Sequence, residues 1–176
     1  VSYGNCASQD GQGTDSLFEI AEAAGLSTGI VSTARITHAT PAATYSEAAS
    51  RDWEDDAEVG DSGCKDIASQ LIDWPAGDGF ELILGGGRGA FMPASVSDPE
   101  TGEPAGRRVD GKNLTEDWLA KPGERAFIFD QAGFDAIDFD SDVLVSEILL
   151  IRCHQSIFDK REQLIHGDAS LFFNLL

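Results

Sequence analysis

His38 and Thr40 stand two residues apart, and Arg51 follows eleven residues after Thr40. An imidazole nitrogen and a hydroxyl oxygen are metal donors of different hardness, while the planar fork of a guanidinium suits a phosphate or a carboxylate. Thr40-Pro41 reads as a helix start. The threonine oxygen can cap an orphan amide, and proline fits the first helical position because its missing N–H costs nothing there. That helix is expected over residues 41–50. If Thr40 and Arg51 sat on one straight helix their Cα atoms would lie about 16 Å apart. A shared site therefore requires the helix to end early or the arginine to fold back. From the residues alone, a plain capped helix ending in an arginine is the expected reading over a functional site.

The elements around this stretch alternate. Asp15 or Ser16 can cap a helix running through Ala24, with Leu17, Ile20, Ala21 and Ala24 on one face and Gly25 as its stop. Residues 28–32 read as a short buried strand. Residues 64–73 have helical spacing at Ile67, Ala68, Leu71 and Ile72, and residues 80–84 read as a second strand. Asn113 is placed to cap a helix through Ala120 with Leu114, Trp118 and Leu119 as its apolar face, and residues 125–129 follow as a third strand. Strands alternating with helices predict an α/β fold, part of a three-layer α/β/α sandwich with a mostly parallel sheet.

Several motifs point elsewhere and fail on context. Gly85-Gly86-Gly87-Arg88-Gly89-Ala90 fits a dinucleotide fingerprint, with Asp110 twenty residues after Ala90. The fingerprint works only where the glycines open a helix, and here Phe91-Met92-Pro93 and a Pro/Gly-rich loop follow instead. Glu54, Asp55, Asp56, Glu58 and Asp61 could together attract calcium, but the spacing is not that of an EF-hand loop, so a charged surface turn is expected. Residues 94–108 read as an exposed loop. Cys6, Cys64 and Cys153 have neither zinc-ribbon nor Cys-x-x-Cys spacing.

The chain has 176 residues, 31 Asp and Glu against 12 Lys and Arg, and a formal charge of −19. A field of that sign repels nucleic-acid backbones and anionic membrane surfaces, so no nucleic acid is expected as a partner. An anionic substrate must be drawn in by local positive charge. No window approaches the twenty apolar residues of a membrane span, and no basic region precedes an apolar run at the N-terminus, so neither a span nor a signal peptide is expected here.

The run Ser32-Thr33-Ala34-Arg35-Ile36-Thr37-His38-Ala39-Thr40-Pro41-Ala42-Ala43-Thr44-Tyr45, continued by Ser50-Arg51-Asp52-Trp53, resembles the central segment of alkaline phosphatases. Three further stretches resemble that family in the same order. They are Gly63-Cys64-Lys65-Asp66-Ile67-Ala68-Ser69-Gln70-Leu71, Leu82-Ile83-Leu84-Gly85-Gly86-Gly87-Arg88, and Val109-Asp110-Gly111-Lys112-Asn113-Leu114 with Trp118-Leu119. The resemblance covers residues 1–143 and implies an internal fragment of the family's fold. The family hydrolyses phosphate monoesters through a phosphoserine, with two zinc ions and a magnesium site, commonly as a homodimer. Carried over by position, Arg51 matches the arginine that grips phosphate, Thr40 a hydroxyl ligand of magnesium, and His38 a position beside the magnesium site. Cys6 and Cys64 match a disulfide pair, which implies an oxidising compartment and so a periplasmic or secreted protein. The alternative for those two cysteines is a pair of buried free thiols.

The resemblance also shows what does not match. The Asp-Ser-Ala nucleophile motif occurs nowhere in residues 1–176, and the zinc ligands expected downstream have no counterpart, so the zinc site is incomplete. This implies little or no phosphatase activity from the chain alone, with phosphate monoester or inorganic phosphate as its ligand. A rival reading is a non-catalytic binding or interaction module on the same scaffold. From about residue 144 the acid excess stops: residues 146–176 hold three basic and four acidic side chains and two of the three histidines. That tail, 144–176, is expected to be out-of-frame or otherwise foreign sequence, or else a divergent helix ending in the apolar run from Leu171. Cys153 and His154 are adjacent there, which does not by itself make a nucleophile and base.

Overall fold

A computed structural model describes residues 3–6 and 14–137, together with the backbone of two strands at 147–152 and 171–175. The elements in chain order are α1 (Leu17–Ala23), β1 (Thr28–Arg35), α2 (Ala39–Ala42), α3 (Asp56–Val59), α4 (Ile67–Ile72), β2 (Leu82–Gly86), α5 (Leu114–Leu119), β3 (Arg125–Ile128), α6 (Gln131–Asp135), β4 (Glu147–Arg152) and β5 (Leu171–Leu175). The strands form one sheet in the order β3-β4-β2-β1-β5, and every pairing is parallel. Ile30 of β1 is level with Ile83 of β2, which is level with Leu149 of β4.

Side-chain alternation along β2 divides the core between the two faces of the sheet. Ile83 packs with Ile30, Phe18, Ile67, Leu71, Leu114 and Trp118, the apolar sides of α1, α4 and α5. Leu82 and Leu84 point the other way, toward Phe134 of α6 and Ile128. Helices therefore lie on both faces, which is the three-layer α/β arrangement expected of strands alternating with helices. Within the first face Phe80 is an aromatic hub: Trp74 stacks on it at 4.1 Å between centroids, and Phe18 and Tyr45 meet it edge-on at 5.6 and 6.4 Å.

Local signals explain most boundaries, and some expectations are corrected. Ser16 caps α1 and forms a capping box with Glu19. The buried side of that helix is Phe18, Ala21 and Glu22, whereas Leu17 and Ile20 are exposed, so the expected apolar face is wrong by one position. Phe18 is the larger anchor, and its contact with Phe80 sets the helix rotation. Asp66 caps α4, accepting from Ser69 N at 2.9 Å. Asn113 holds the position before α5 without a cap bond of its own, because its side chain is engaged by Glu116 and Thr115. The glycine run after β2 turns the chain into a single 3₁₀ turn, Arg88–Phe91, and no α-helix follows to face a pyrophosphate. Gly85 is required for packing, since a Cβ there would meet Ile36 Cδ1 at 2.5 Å, and Gly87 has a φ of +92°.

The loop over residues 94–108 is more than a surface excursion. Its two stems pair through Pro93 and Arg108, and two of its charged side chains are interior. Arg88 grips Asp98 through Nε and Nη2 at 2.6 and 2.5 Å and also donates to the Phe129 carbonyl. Those bonds outweigh burial and hold the Asp98 carboxyl below the usual carboxylate range. Arg108 is bound still more completely and sits between this loop and α4.

Of the 144–176 tail, the described parts are strands. β4 lies between β3 and β2, and β5 pairs with β1, so where the alternative reading of the tail ended a helix in the run from Leu171, residues 171–175 form a strand. Cys153 and His154 lie outside the described residues.

Candidate functional site

The stretch from 37 to 54 leaves β1, makes one helical turn and comes back. α2 ends at Ala42, not near Ser50, and its N-cap residue is His38 with no side-chain cap bond; Thr40 lies inside the first turn. The expected long helix fails because its hydroxyl side chains take other partners. Thr44 Oγ1 donates to the Pro41 carbonyl at 2.7 Å, Ser46 Oγ donates to Gln70 Oε1 at 3.0 Å, and Ala48 N donates to Ser46 Oγ. Tyr45, buried, reaches back to donate to the Ile36 carbonyl at 2.8 Å while its ring joins the Phe80 cluster. The loop is thus pinned to the core at its middle.

With the helix short, Arg51 returns to the beginning of the loop. Its Nη2 lies 3.5 Å from His38 Nε2. A guanidinium has only donors, so a bond here places the lone pair on Nε2 and the proton on Nδ1, which is buried without a partner. Thr40 and Arg51 are both exposed. Arg51 is supported from behind by the N-terminal segment: Ser50 Oγ donates to Tyr3 Oη, Tyr3 donates to Asp52 Oδ2 at 2.7 Å, and Gly4 N donates to the Ala49 carbonyl. A disulfide between Cys6 and Cys64, with Cα atoms 5.8 Å apart, ties that segment to the turn before α4. The two cysteines are bonded, so the free-thiol alternative falls.

The base of the loop is closed by a residue that the sequence did not single out. Glu54, expected in a charged surface turn, is buried, and so is Asp55. Glu54 accepts from Thr37 Oγ1 at 2.6 Å and from Arg35 through Nε at 2.8 Å and Nη2 at 2.6 Å. Arg107 approaches from the opposite stem, 3.8 Å from Glu54 and 2.8 Å from Asp55. Burial opposes the Glu54 charge, but the hydrogen bonds from Arg35 and Thr37 outweigh it and leave the carboxyl below its ordinary value. The sequence placed Glu54 in a cluster of five carboxylates and gave no sign that Arg35 and Thr37 would bury it.

This has a pH consequence. A carboxyl with a lowered folded-state value contributes stability above its unfolded value and loses it as pH falls through the folded one. Glu54→Gln is expected to destabilise the chain by about 1.5–3 kcal/mol at pH 7. In urea titrations the gap between parent and variant closes as pH drops below about 4. A gap unchanged at pH 3 would show that Glu54 acts through shape alone.

As metal donors, the loop supplies the Thr40 hydroxyl and the His38 Nε2 lone pair, the latter only when the Arg51 guanidinium turns away from it. Magnesium takes six ligands, mostly oxygen, so these two residues fit a share of a site and not a whole one. Among the described residues, one cluster of three potential ligands exists elsewhere, Glu22, Asp78 and Glu81. Thr28 serves two of these: its Oγ1 donates to Glu22 at 2.5 Å and its N–H to Glu81 at 2.6 Å. Burial raises both carboxyls above their ordinary value, and Thr28 already supplies a donor to each.

The sequence comparisons agree with the segment from which the site is built. The family model for alkaline phosphatase matches residues 5–143. A tissue-nonspecific alkaline phosphatase of Gallus gallus is 42% identical over 125 residues, 67% of this chain and 24% of the relative. A membrane-bound alkaline phosphatase of Bombyx mori is 46% identical over 108 residues, covering 58% of this chain and 19% of the relative. An alkaline phosphatase of Gadus morhua is 39% identical over 122 residues, 65% and 25% respectively. The chain spans about a quarter or less of the length of these curated relatives. Most of its residues fall within the family match, and the chain belongs to the alkaline phosphatase family.

Proposed function

We propose that this chain carries the phosphate-gripping arginine of an alkaline phosphatase and part of its magnesium site, with Arg51 in the first role and Thr40 and His38 in the second. The observation behind this reading is the return of the Arg51 guanidinium to within 3.5 Å of His38. One fixed cation and one nitrogen donor are thereby gathered at the same end of a loop closed at its base by Glu54. Two parallel N–H donors of a guanidinium match two oxygens of a phosphoryl group, so Arg51 holds the non-bridging oxygens and sets their orientation. His38, on the other side of that guanidinium, limits how far it swings. The Thr40 hydroxyl is a hard oxygen in the first turn of α2, suited to magnesium. A divalent ion held there supplies charge that offsets the phosphate oxygens.

The ligand is a phosphate monoester or inorganic phosphate. The whole family's turnover also uses a serine nucleophile and zinc ligands, and the Asp-Ser-Ala motif is absent from residues 1–176. The chain alone is therefore proposed to bind phosphate weakly without hydrolysing its esters. The Cys6–Cys64 bridge supports placing it in an oxidising compartment, periplasmic or secreted.

With magnesium and zinc supplied, hydrolysis of an aryl phosphate by the purified chain is expected to stay at background. Phosphate binding followed by ³¹P line broadening is expected to weaken about tenfold in Arg51→Ala, the loss of one charge-assisted contact. Turnover that copurifies with the polypeptide and vanishes in Arg51→Ala would overturn the inactive part of the reading. Phosphate binding indifferent to Arg51→Ala would remove the role given to the arginine.

A further inference from the structure

Away from the His38–Arg51 loop, a partly open cleft of about 70 Å³ lies between the end of α4, the 74–80 loop, α5 and the start of β3. Its lining includes Trp74, Phe80 and Trp118 as an apolar floor, and Asp78, Lys121 and Arg125 as charged groups. A water needs only about 10–15 Å³ of such space, so the cleft has room for a small oxyanion.

Three residues that line the cleft carry N–H donors. Trp118 is 3% exposed, and its indole Nε1–H is buried with no partner. A buried donor left unpaired is costly, and an acceptor in the cleft would remove that cost. Lys121 gives one of its three ammonium protons to the Ile72 carbonyl. Arg125 lies with its guanidinium carbon 4.5 Å above the Trp118 ring, and its Nε donates to the Pro122 carbonyl at 3.1 Å. Burial lowers the affinity of Lys121 for its proton, and the neighbouring Arg125 charge lowers it further. Burial pushes Arg125 in the same direction. Asp73 counters part of this at Lys121, and Asp78 does so at Arg125.

We infer that this cleft binds a small oxyanion, a carboxylate or a phosphate, between the Lys121 ammonium, the Arg125 guanidinium and the Trp118 indole N–H, over the floor of Trp74 and Phe80. An anion there supplies the acceptor that the indole lacks and offsets both cations. Asp78 opposes it from within the same lining. That opposition gives the test its sign.

The experiment records ¹H–¹⁵N spectra of the full chain while sodium chloride is replaced, at constant ionic strength, by sodium acetate or sodium phosphate. The Trp118 indole resonance is expected to shift saturably, while that of Trp53, which does not line the cleft, stays in place. Lys121→Gln should weaken binding about tenfold, whereas Asp78→Asn should strengthen it several-fold. A packing defect does not produce opposite signs at Lys121 and Asp78. Arg51→Ala should leave the response unchanged, which separates this cleft from the phosphate site proposed above. Saturation by acetate alone, phosphate alone or both identifies the oxyanion, and each supports the inference. A shift of Trp118 that fails to saturate with either anion in the unmodified chain, equal movement of Trp53, or indifference to Lys121→Gln would overturn it.

Discussion

Arg108→Leu is expected to lower the free energy of unfolding by about 3–5 kcal/mol, the cost of leaving the buried Asp66 carboxylate without its cation. Arg108 is 1% exposed. Its Nη1 and Nη2 meet the two oxygens of Asp66 at 3.0 and 3.2 Å, and its Nε and Nη2 meet the two of Asp110 at 3.1 and 2.6 Å. Nη1 also donates to the Ala90 carbonyl and Nη2 to Ser69 Oγ. Burial opposes the Arg108 charge, but the bonds to Asp110 and Asp66 outweigh it and bind its proton more tightly than usual. Leucine fills part of the volume and satisfies none of these acceptors. Because Asp66 also caps α4, its release loosens the start of that helix.

Urea denaturation of parent and variant measures the loss directly. The double variant Arg108→Leu/Asp66→Asn should cost less than the sum of the two single changes, since each single change strands the other partner. Arg108→Lys keeps the charge but not the fork, so it should recover only part of the deficit. A loss under about 1 kcal/mol for Arg108→Leu would mean that water reaches the carboxylates and that the loop over 94–108 is not anchored through this residue.

The second large effect is expected at the disulfide. Replacing Cys6 and Cys64 by serine, or reducing the bond, should cost about 4 kcal/mol on the chain-entropy model for a loop of this length. The sequence separation is 58 residues. The consequence reaches the site as well as stability. Residues 3–6 support the 49–52 segment through Tyr3 and Gly4, so cutting their tether removes the backing of Arg51. Thermal unfolding with and without reductant gives the stability term. Phosphate binding under the same two conditions gives the functional one, expected to weaken on reduction even where the chain stays folded. Equal melting curves in both conditions would show that the native contacts of the segment hold it without the bond.

Part of this was legible in the residues. Ser16 with Glu19, Asp66 before Ile67, and the apolar runs of β1 and β2 carry local signals, because capping and periodicity act over a few residues. The length of α2 was not legible. Whether Thr44 and Ser46 extend a helix or bond to Pro41 and Gln70 depends on where Gln70 of α4 lies, which is a tertiary fact. Glu54 and Asp55 show the same limit. In the sequence they belong to an acidic run, and only the approach of Arg35 and Arg107 from separate elements makes their burial tolerable.

By itself, then, the sequence determined the family through four ordered motifs, the alternation that builds a parallel α/β sheet, and the residues His38, Thr40 and Arg51 as the ones to watch. These are properties of residue identity and short-range spacing. Tertiary structure decided which of them meet. The early end of α2 brings Arg51 to His38 across thirteen residues, Glu54 closes the loop beneath them, and Arg108 joins a loop to α4 across forty-two. The Glu54 and Arg108 pairings rest on charges whose burial is stable only when a partner arrives from elsewhere in the chain, and no local pattern encodes that arrival.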